Sequence, residues 1–442
     1  MKTLLKGGRV VDPSLDLDDV RDVLVEDGRI AEVSTSIDAG GTSGTEVIAA
    51  KGLVVCPGLV DMHVHLREPG REDEETIESG TRAAVAGGFT AVASMPNTEP
   101  PIEGDEGVKF VLAKAREAGL ARVYPVAAVT RGLKGELLAE IGSAVRAGAR
   151  GVSDDGKAVA NSALMRRALE YSRMLDVPVI SHCEDPGLSG KGMMNEGPVS
   201  TFLGLKGIPN ESEEVAVARD IALARLASGR LHIAHVSTAR GLELVLEAKR
   251  LGLKVTCEVT PHHFTLTDEA VRDYGTNNKT NPPLRSERDM CALRHALRTG
   301  AVDAIASDHA PHSAEEKDQE FDVAPFGIVG LETSLGLALT ELYHKRIISL
   351  LELVRLMSGG PAAILGIKSG SLKPGAPADI TLFDPERQWT VDPSKFHSKS
   401  RNTPFSGWQL KGKAVSVIIE GRVLMRDGEI LEGPGTTGRE TC

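Results

Sequence analysis

The sequence predicts an α/β protein built on a TIM-like (β/α)8 barrel, with a small β-sandwich domain formed by both chain termini. Eight short apolar runs rich in Val, Ile and Ala cover residues 58–65, 90–97, 121–129, 149–155, 178–184, 231–237, 254–263 and 302–309. Such runs are typical of parallel strands that are buried on both faces. The stretches between them, such as 162–175 and 213–227, have apolar residues at helical spacing. Eight strand-then-helix units in succession predict a closed barrel.

The two ends of the chain differ from its middle. Each end contains an Asp-Gly pair between short runs, Asp27-Gly28 near the N-terminus and Asp427-Gly428 near the C-terminus. Asp-Gly favours the two-residue turn of a β-hairpin. The similarity of the two ends predicts that they pair into one small domain. We expect residues 1–54 and 367–442 to form that domain, which leaves residues 55–366 for the barrel.

Composition and charge limit the classes of function. The formal net charge of the 442 residues is −11 with mixed signs, whereas a nucleic-acid-binding protein needs a basic face. No apolar run approaches the ~20 residues that cross a bilayer, and the first apolar segment is too short for a signal peptide. The five cysteines, Cys56, Cys183, Cys257, Cys291 and Cys442, form no CxxC pair. We therefore expect reduced thiols, a cytoplasmic protein, and no nucleic-acid or membrane partner.

Side chains that can bind metal stand where the predicted strands end, which is the edge at which barrel enzymes carry their chemistry. His63 and His65 are two residues apart on one strand, so both point to the same face and can chelate one metal ion. Asp308 ends the eighth strand, which lies beside the first strand in a closed barrel. These three residues therefore predict one metal position.

A second ion would need ligands across the barrel mouth. His182 and His235 end the fifth and sixth strands, and Asp155 ends the fourth with the charge that bridges two ions ~3.5–4 Å apart. Either histidine alone would be interpreted as a buried, hydrogen-bonded residue. Six such residues on one rim predict a metal site instead. The expected ligands are His63, His65, Asp155, His182, His235 and Asp308.

Four segments carry a resemblance to a known family. Residues 57–67 (PGLVDMHVHLR) and 307–312 (SDHAPH) resemble the opening and closing signatures of cyclic amidohydrolases. Residues 95–98 (MPNT) and 281–285 (NPPLR) are similar to dihydroorotases, and the whole chain is most similar to the long, bacterial type I members.

This resemblance implies a reversible cyclisation of N-carbamoyl-L-aspartate to dihydroorotate, the third step of pyrimidine (UMP) synthesis. It implies a metal-dependent catalytic barrel that holds one or two zinc ions, with two expected.

One departure separates the chain from hydantoinases and from the shorter dihydroorotases, which carry a carboxylated lysine as the metal bridge after the fourth strand. Here residues 151–156 (GVSDDG) match the type I pattern of an aspartate bridge, which points to Asp155. Lys157 is the rival for this role, and we interpret it as a solvated loop lysine. Asp154 is a weaker rival, because adjacent strand residues point to opposite faces.

The resemblance also implies roles toward the substrate. Asp308 would be the catalytic acid and base. Arg67 would bind the substrate carboxylate as a two-pronged donor, with a surface salt bridge to Glu68 or Glu72 as the alternative. The other expected substrate contacts are His65, Asn97, Asn281, His312 and the backbone of Phe326 and Gly327.

Two further features lie near these residues. The stretch 311–327 is rich in charge, and we expect it to be exposed and mobile, either as a lid over the site or as an ordinary loop. His262 and His263 end the seventh strand without a role that the resemblance assigns. We interpret them as supporting or structural residues.

Two other functions compete with this hypothesis. An allantoinase or hydantoinase would keep the chemistry and change the substrate, but the aspartate bridge and Arg67 argue against it. A non-catalytic partner of aspartate transcarbamoylase would have lost metal ligands, whereas all six are present. The expected partners are a small-molecule substrate and a second copy in a homodimer, the commonest assembly of soluble enzymes. An association with aspartate transcarbamoylase stays open.

Overall fold

The computed structural model describes residues 2–38 and 44–431, so Cys442 and the last residues of the expected terminal domain lie outside the described part. Five strands come first: β1 (Lys2–Asp12), β2 (Leu17–Glu26), β3 (Arg29–Ser34), β4 (Thr45–Ala49) and β5 (Val54–Pro57). Asp27 and Gly28 between β2 and β3 have φ values of 47° and 77°. Two successive left-handed residues make the turn that suits a tight hairpin, as the sequence predicts.

The eight predicted barrel strands are all present and lie side by side in chain order. They are β6 (Leu59–Val64), β7 (Phe89–Ser94), β8 (Arg122–Ala127), β9 (Gly151–Val152), β10 (Val179–Ser181), β13 (Leu231–Ile233), β14 (Val255–Val259) and β15 (Ala304–Ile305). A separate pair, β11 (Met194–Asn195) and β12 (Gly207–Ile208), follows β10. The barrel closes where the His65 amide donates to the His309 carbonyl at 2.8 Å. The predicted (β/α)8 barrel is confirmed.

Helices surround the barrel. They are α1 (Ile77–Gly87), α2 (Asp105–Ala118), α3 (Ile141–Ala147), α4 (Ser162–Met174), α5 (Pro186–Ser189), α6 (Pro198–Leu203), α7 (Asn210–Ala227), α8 (Ala239–Arg250), α9 (Pro261–Thr265), α10 (Glu287–Arg298), α11 (Ala314–Lys317), α12 (Ser334–Ala338), α13 (Leu350–Val354) and α14 (Gly360–Leu365). Asn161 begins α4 by accepting hydrogen bonds from the amides of Ala163 and Leu164. The amphipathic stretches expected at 162–175 and 213–227 are therefore helical. No described helix is long and apolar enough to span a membrane.

The last four strands are β16 (Ile380–Thr390), β17 (Gln409–Ile419), β18 (Arg422–Arg426) and β19 (Glu429–Ile430). They join the first five in one sheet of order β19-β18-β17-β16-β5-β1-β2-β3, with β4 on β1, which confirms that both termini build the β-rich unit. The Ala378 amide donates to the Gly28 carbonyl, and the Ala378 carbonyl accepts from the Gly421 amide, so the β2–β3 and β17–β18 turns lie close together. The domain boundaries at residues 54 and 367 stay a prediction.

Candidate metal centre

The six side chains that the sequence singles out converge at the carboxyl end of the barrel strands. His63 lies in β6, His65 just after it, and His182 just after β10. Each of the six residues is at most 8% exposed. Two groups have ligand atoms close enough to hold a metal ion, His63 with Asp155 and His235, and His63 with His65 and Asp308. The Nδ1 atom of His182 lies 2.9 Å from Nε2 of His235, so His182 belongs to the same centre.

Asp155 occupies the middle of the cluster. Its Oδ1 atom lies 3.2 Å from Nε2 of His63, 3.7 Å from Nδ1 of His182 and 3.6 Å from Nε2 of His235. Its Oδ2 atom lies 3.4 Å from Nε2 of His65. One carboxylate therefore faces all four imidazoles, which is the placement that a bridging ligand needs.

Asp308 approaches the cluster from the last strand. Its Oδ1 atom lies 3.2 Å from Nε2 of His65 and 3.6 Å from Nε2 of His63. The two carboxylates thus flank His63 and His65 from different sides of the barrel mouth.

Three of the four imidazoles also have an acceptor near the ring nitrogen that points away from the centre, and two of these acceptors are within hydrogen-bond distance. His63 Nδ1 lies 2.7 Å from Glu258 Oε1, and His65 Nδ1 lies 2.7 Å from Asn97 Oδ1. The Nε2 atom of His182 lies 3.6 Å from Glu184 Oε2. Histidines that bind metal donate their second N–H to such partners, which leaves a lone pair directed at the ion.

These contacts make the donor set fit a cation. With Nδ1–H donating to Glu258, the Nε2 lone pair of His63 faces the carboxylate of Asp155. Both His63 Nε2 and Asp155 Oδ1 are buried and make no hydrogen bond. Unpaired buried acceptors repel each other and cost free energy, and a metal ion between them removes that cost. Imidazole and carboxylate ligands suit zinc.

The two buried carboxylates of the centre need positive charge beside them. Burial raises the pKa of Asp155, but the charges of His63 and His65 outweigh burial, and the pKa stays well below its usual range. Burial likewise raises the pKa of Asp308, but His65, His63 and His235 outweigh burial, and this pKa also stays well below its usual range. Burial lowers the pKa of His63, but Asp155 and Glu258 outweigh burial and hold the pKa well above its usual value, so either a proton on His63 or a metal ion satisfies the carboxylates. The site therefore attracts positive charge.

Backbone strain concentrates at the same rim. Arg67, His235 and Asp308 have φ values of 58°, 33° and 49°. This left-handed region costs a residue with a side chain of order 1–3 kcal/mol, and it recurs at functional sites. Arg67 therefore lies beyond the end of β6 in a strained turn, and not on the face that a continued strand would share with His65.

The two rivals of Asp155 have other surroundings. Asp154 accepts hydrogen bonds from the amides of Val129 and Thr130, at 2.8 and 2.9 Å, and from the Thr130 hydroxyl. Its carboxylate thus ties the fourth strand end to the third. Lys157 is exposed on the loop that follows.

Arg67 and His312 lie together beside the centre. The Nε atom of Arg67 donates to the Pro311 carbonyl at 3.0 Å, and a terminal guanidinium nitrogen lies 3.2 Å from Nε2 of His312. The acidic partner of Arg67 is Glu74, with Oε2 at 3.2 Å from Nε, and not Glu68 or Glu72, the alternative partners considered from the sequence. Because a guanidinium has five N–H groups, these contacts leave donors for a carboxylate ligand.

The two asparagines reach the centre through its histidines. The Oδ1 atom of Asn97 lies 2.7 Å from Nδ1 of His65. The Nδ2 atom of Asn281 donates to Glu184 Oε2 at 2.8 Å and lies 3.5 Å from Nε2 of His182. Histidine and hydrogen-bond donors hold the pKa of Glu184 at about 2, despite the opposing effect of burial.

The stretch 311–327 is anchored rather than wholly exposed, so that expectation is wrong for its anchoring residues. Lys317 is buried and donates to the carbonyls of Pro325 and Gly327, at 2.9 and 3.0 Å. Buried Lys279 donates to the carbonyls of Phe321 and Ala324, both at 2.6 Å. Burial lowers the pKa of Lys317 to about 7, and the charge of Lys279 adds to the effect.

The backbone atoms of Phe326 and Gly327 have partners within the protein. The Phe326 carbonyl lies 2.8 Å from Nε2 of His312. The Gly327 amide donates to the Lys279 carbonyl at 2.8 Å. The structure thus joins this segment to the Arg67–His312 pair.

The two histidines after β14 differ. His263 is held at both ring nitrogens, by the Thr260 hydroxyl at 2.7 Å and the Pro282 carbonyl at 3.0 Å, so it fixes the segment that carries Asn281. His262 Nε2 is buried and unpaired, and burial lowers the pKa of His262 to about 4.

A third group of potential ligands, Glu74, His312 and Glu316, lies next to this centre. Arg67 pairs with Glu74, and Arg71 pairs with both glutamates. Because two guanidinium groups already supply the positive charge, this group is a support for the arginine and histidine side chains rather than a place for a metal ion.

Three buried residues of the site were not predicted. His232 lies in the predicted sixth strand and Glu258 in the predicted seventh. An ionisable residue within an apolar run was the sequence signal that could have identified them. Glu74 falls in the acidic stretch 72–75, which resembles a solvated surface. Its burial depends on His312, which is 238 residues away in the chain.

Comparison with known proteins agrees with this geometry. Residues 52–241 match the family model described as dihydro-orotase-like, and residues 208–425 match the model of the amidohydrolase family. In overall structure the chain is similar to the L-hydantoinase of Arthrobacter aurescens, with a TM-score of 0.87, 27% identity and 98% of each chain covered. It is also similar to the dihydropyrimidinase of Brevibacillus agri, with a TM-score of 0.85, 26% identity and 98% and 96% covered. Members of the amidohydrolase superfamily depend on metal, as the donor set requires.

Sequence relatives are closer. The dihydroorotase of Pelotomaculum thermopropionicum is 55% identical over 427 residues, which cover 97% of this chain and 99% of that protein. The dihydroorotase of Geobacter metallireducens is 54% identical over 426 residues, covering 96% and 100%. Identity at this level over nearly the full length shows that the chain belongs to the dihydroorotase family.

Proposed function

We propose that the chain catalyses the reversible, zinc-dependent cyclisation of N-carbamoyl-L-aspartate to dihydroorotate. The observation that carries the proposal is the convergence of six metal-binding side chains beside a buried arginine, in a chain more than half identical to dihydroorotases. A cytoplasmic location is part of the proposal. The four described cysteines are unpaired, which agrees with it.

Zinc is proposed at two positions that share one ligand. His63, His65 and Asp308 would hold one ion, His182 and His235 the other, and Asp155 would bridge them. Zinc bound there would supply a Lewis acid for the amide carbonyl and would lower the pKa of a water molecule toward 7. The roles of the six residues rest on their placement around Asp155 and on the outer partners of three histidines.

Arg67 would orient the substrate. Dihydroorotate carries a carboxylate, and a guanidinium binds a carboxylate through two parallel hydrogen bonds. The Pro311 carbonyl and Glu74 hold the arginine from one side, so little side-chain entropy is lost on binding. Asn97, Asn281 and His312 are proposed as further donors around the ring, with Phe326 and Gly327 contributing backbone groups.

Asp308 would move the proton. Its Oδ1 atom lies 3.2 Å from Nε2 of His65, so the carboxylate borders the proposed zinc site and would accept the proton of the water that attacks the ring amide. As the carbon–nitrogen bond breaks, the same carboxyl group returns that proton to the leaving nitrogen. In the biosynthetic direction these steps run in reverse and release water.

The structural similarity to an L-hydantoinase and a dihydropyrimidinase makes hydrolysis of other cyclic amides the second candidate. The two functions differ in the substrate group that Arg67 would meet, because hydantoin and dihydropyrimidine rings lack the carboxylate of dihydroorotate. The contacts of Arg67 with Glu74, Pro311 and His312 leave guanidinium N–H groups that a substrate carboxylate can fill, which favours the dihydroorotase.

Dihydroorotate hydrolysis by the purified chain, with metal content determined on the same sample, tests the proposal. We expect activity with bound zinc, and a loss of about 100- to 10,000-fold in kcat for Asp308→Ala. A faster reaction with hydantoin or dihydrouracil than with dihydroorotate would support the second candidate instead. Absence of bound zinc from an active protein would contradict the zinc assignment.

Every group in this mechanism comes from one chain. We therefore expect activity without aspartate transcarbamoylase. The homodimer and an association with that enzyme are separate proposals from the sequence, and sedimentation of the chain alone and mixed with the transcarbamoylase tests both.

A further inference from the structure

Glu258 lies fully buried inside the barrel between two histidines. Its Oε1 atom is 2.7 Å from Nδ1 of His63, and its Oε2 atom is 3.3 Å from Nε2 of His232. All three residues are 0% exposed. The carboxylate thus contacts the outward nitrogen of a histidine whose other nitrogen faces Asp155.

The contacts continue beyond His232. Its Nδ1 atom lies 2.9 Å from the hydroxyl of Thr256. Thr256 and Glu258 are on β14, His232 is on the neighbouring β13, and His63 reaches them from β6. A buried row of polar groups therefore runs from Thr256 through His232 and Glu258 to the metal centre.

A carboxylate in this position is expensive unless positive charge lies near it. Among the described residues, the ion-pair partners of Glu258 are the two histidines. The His235 amide adds a weak hydrogen bond at 3.4 Å. An imidazole that binds a metal through Nε2 becomes a stronger donor at Nδ1, so a cation at the centre stabilises Glu258 through His63.

We propose that Glu258 is a positioning residue of the metal centre, which holds the Nδ1 hydrogen of His63, directs Nε2 at the ion, and is itself oriented by His232. The inference deepens the proposed function and rests on it. The negative charge of Glu258, and not only its shape, increases the affinity of His63 for the metal. Glu258 does not touch the substrate.

Glu258→Gln is the matched substitution, because it keeps the shape and one acceptor oxygen but removes the charge. We expect zinc affinity to fall by about 10- to 100-fold, measured by competition with a chromophoric chelator. His232→Gln removes only the outer contact and should cost less than about 10-fold. Asp268→Asn is the control. Asp268 is a buried carboxylate that accepts a hydrogen bond from Asn195 and contacts none of the six proposed ligands, so this substitution should leave zinc affinity unchanged.

The second readout is the difference between the unfolding temperatures of the zinc-loaded and metal-free forms. A purely structural role would lower both temperatures together, whereas the proposed role narrows the gap between them. Unchanged zinc affinity in Glu258→Gln, with hydrolysis and zinc binding intact in the wild type, would overturn the inference and leave the proposed function standing. A wild type that binds no zinc would overturn the proposed function. If Glu258→Gln does not fold, His232→Gln provides the test. A fall in its zinc affinity supports the inference, and an unchanged zinc affinity overturns it.

Discussion

Residues at the barrel rim and in the terminal sheet both adopt the left-handed backbone conformation, but with different consequences. In the sheet, the left-handed residues Asp27 and Asp427 each precede a glycine in a two-residue hairpin turn. At the rim, His235 and Asp308 adopt this conformation in the metal cluster itself. In the sheet the conformation reverses the chain, and at the rim it directs the side chain of a proposed ligand at the centre. Aspartate before glycine is common in such turns, whereas histidine at the end of a strand rarely adopts this conformation, so we connect the strain at the rim with its proposed function.

Burial differs between the two regions in the same way. The sheet encloses apolar side chains such as Leu5, Val10, Leu382 and Ile418. The rim encloses carboxylates and imidazoles that make few hydrogen bonds of their own. We infer that the apolar core of the sheet increases the free energy of unfolding. The buried polar groups of the rim lower it, and are kept because they would bind metal. Substitutions that separate the two effects test this difference.

The largest effect is expected at the centre of the rim. Asp155→Asn removes the charge that faces four imidazoles, and zinc affinity should fall by more than the ~10- to 100-fold that loss of an outer partner costs. Asp154→Asn is the matched neighbour, and should retain zinc but lose about 1–3 kcal/mol of stability, because an amide replaces an acceptor of three hydrogen bonds. Metal analysis and thermal unfolding of both variants provide the measurement. Equal loss of zinc in the two variants would show that Asp155 has no special role in metal binding.

A smaller effect is expected beside the metal. Arg67→Met keeps the length of the side chain and removes the charge, so KM for dihydroorotate should rise by about 10- to 100-fold, from the loss of about 1.5–3 kcal/mol of charge-assisted hydrogen bonding. Steady-state kinetics measure the change, and zinc content serves as the control. An unchanged KM would show that another group binds the carboxylate.

The smallest effect on activity is expected in the sheet. Leu382→Ala empties a fully buried position of β16 and should cost about 2–5 kcal/mol of stability. At 25 °C and saturating zinc, kcat and KM should match the wild type, because Leu382 lies in the apolar core of the sheet. A shift in zinc affinity in this variant would indicate that the two regions are coupled.

Much of the fold could be predicted because the relevant signals are local. Apolar runs marked all eight barrel strands, and Asp-Gly pairs marked two hairpin turns of the terminal sheet. The six proposed ligands could be found because the barrel topology brings strand ends together. Strand order alone thus placed Asp308 beside His65.

The remaining features depend on distant contacts that no local pattern reports. Glu74 is buried because His312 and Arg67 surround it, although its neighbours in sequence are charged. The anchoring of the stretch 311–327 depends on Lys279, whose burial between backbone carbonyls contradicts the usual preference of lysine for water. Asp154 and Asp155 are neighbours in sequence but have different partners, and these partners come from distant parts of the chain.

Anomalous X-ray diffraction at the zinc edge, on crystals of the purified chain, tests the central claim most directly. We expect two peaks separated by about 3.5–4 Å on either side of Asp155, one near His63, His65 and Asp308 and the other near His182 and His235. Zinc bound elsewhere, for example between Glu74, His312 and Glu316, or no zinc at the six residues in an active preparation, would contradict the account.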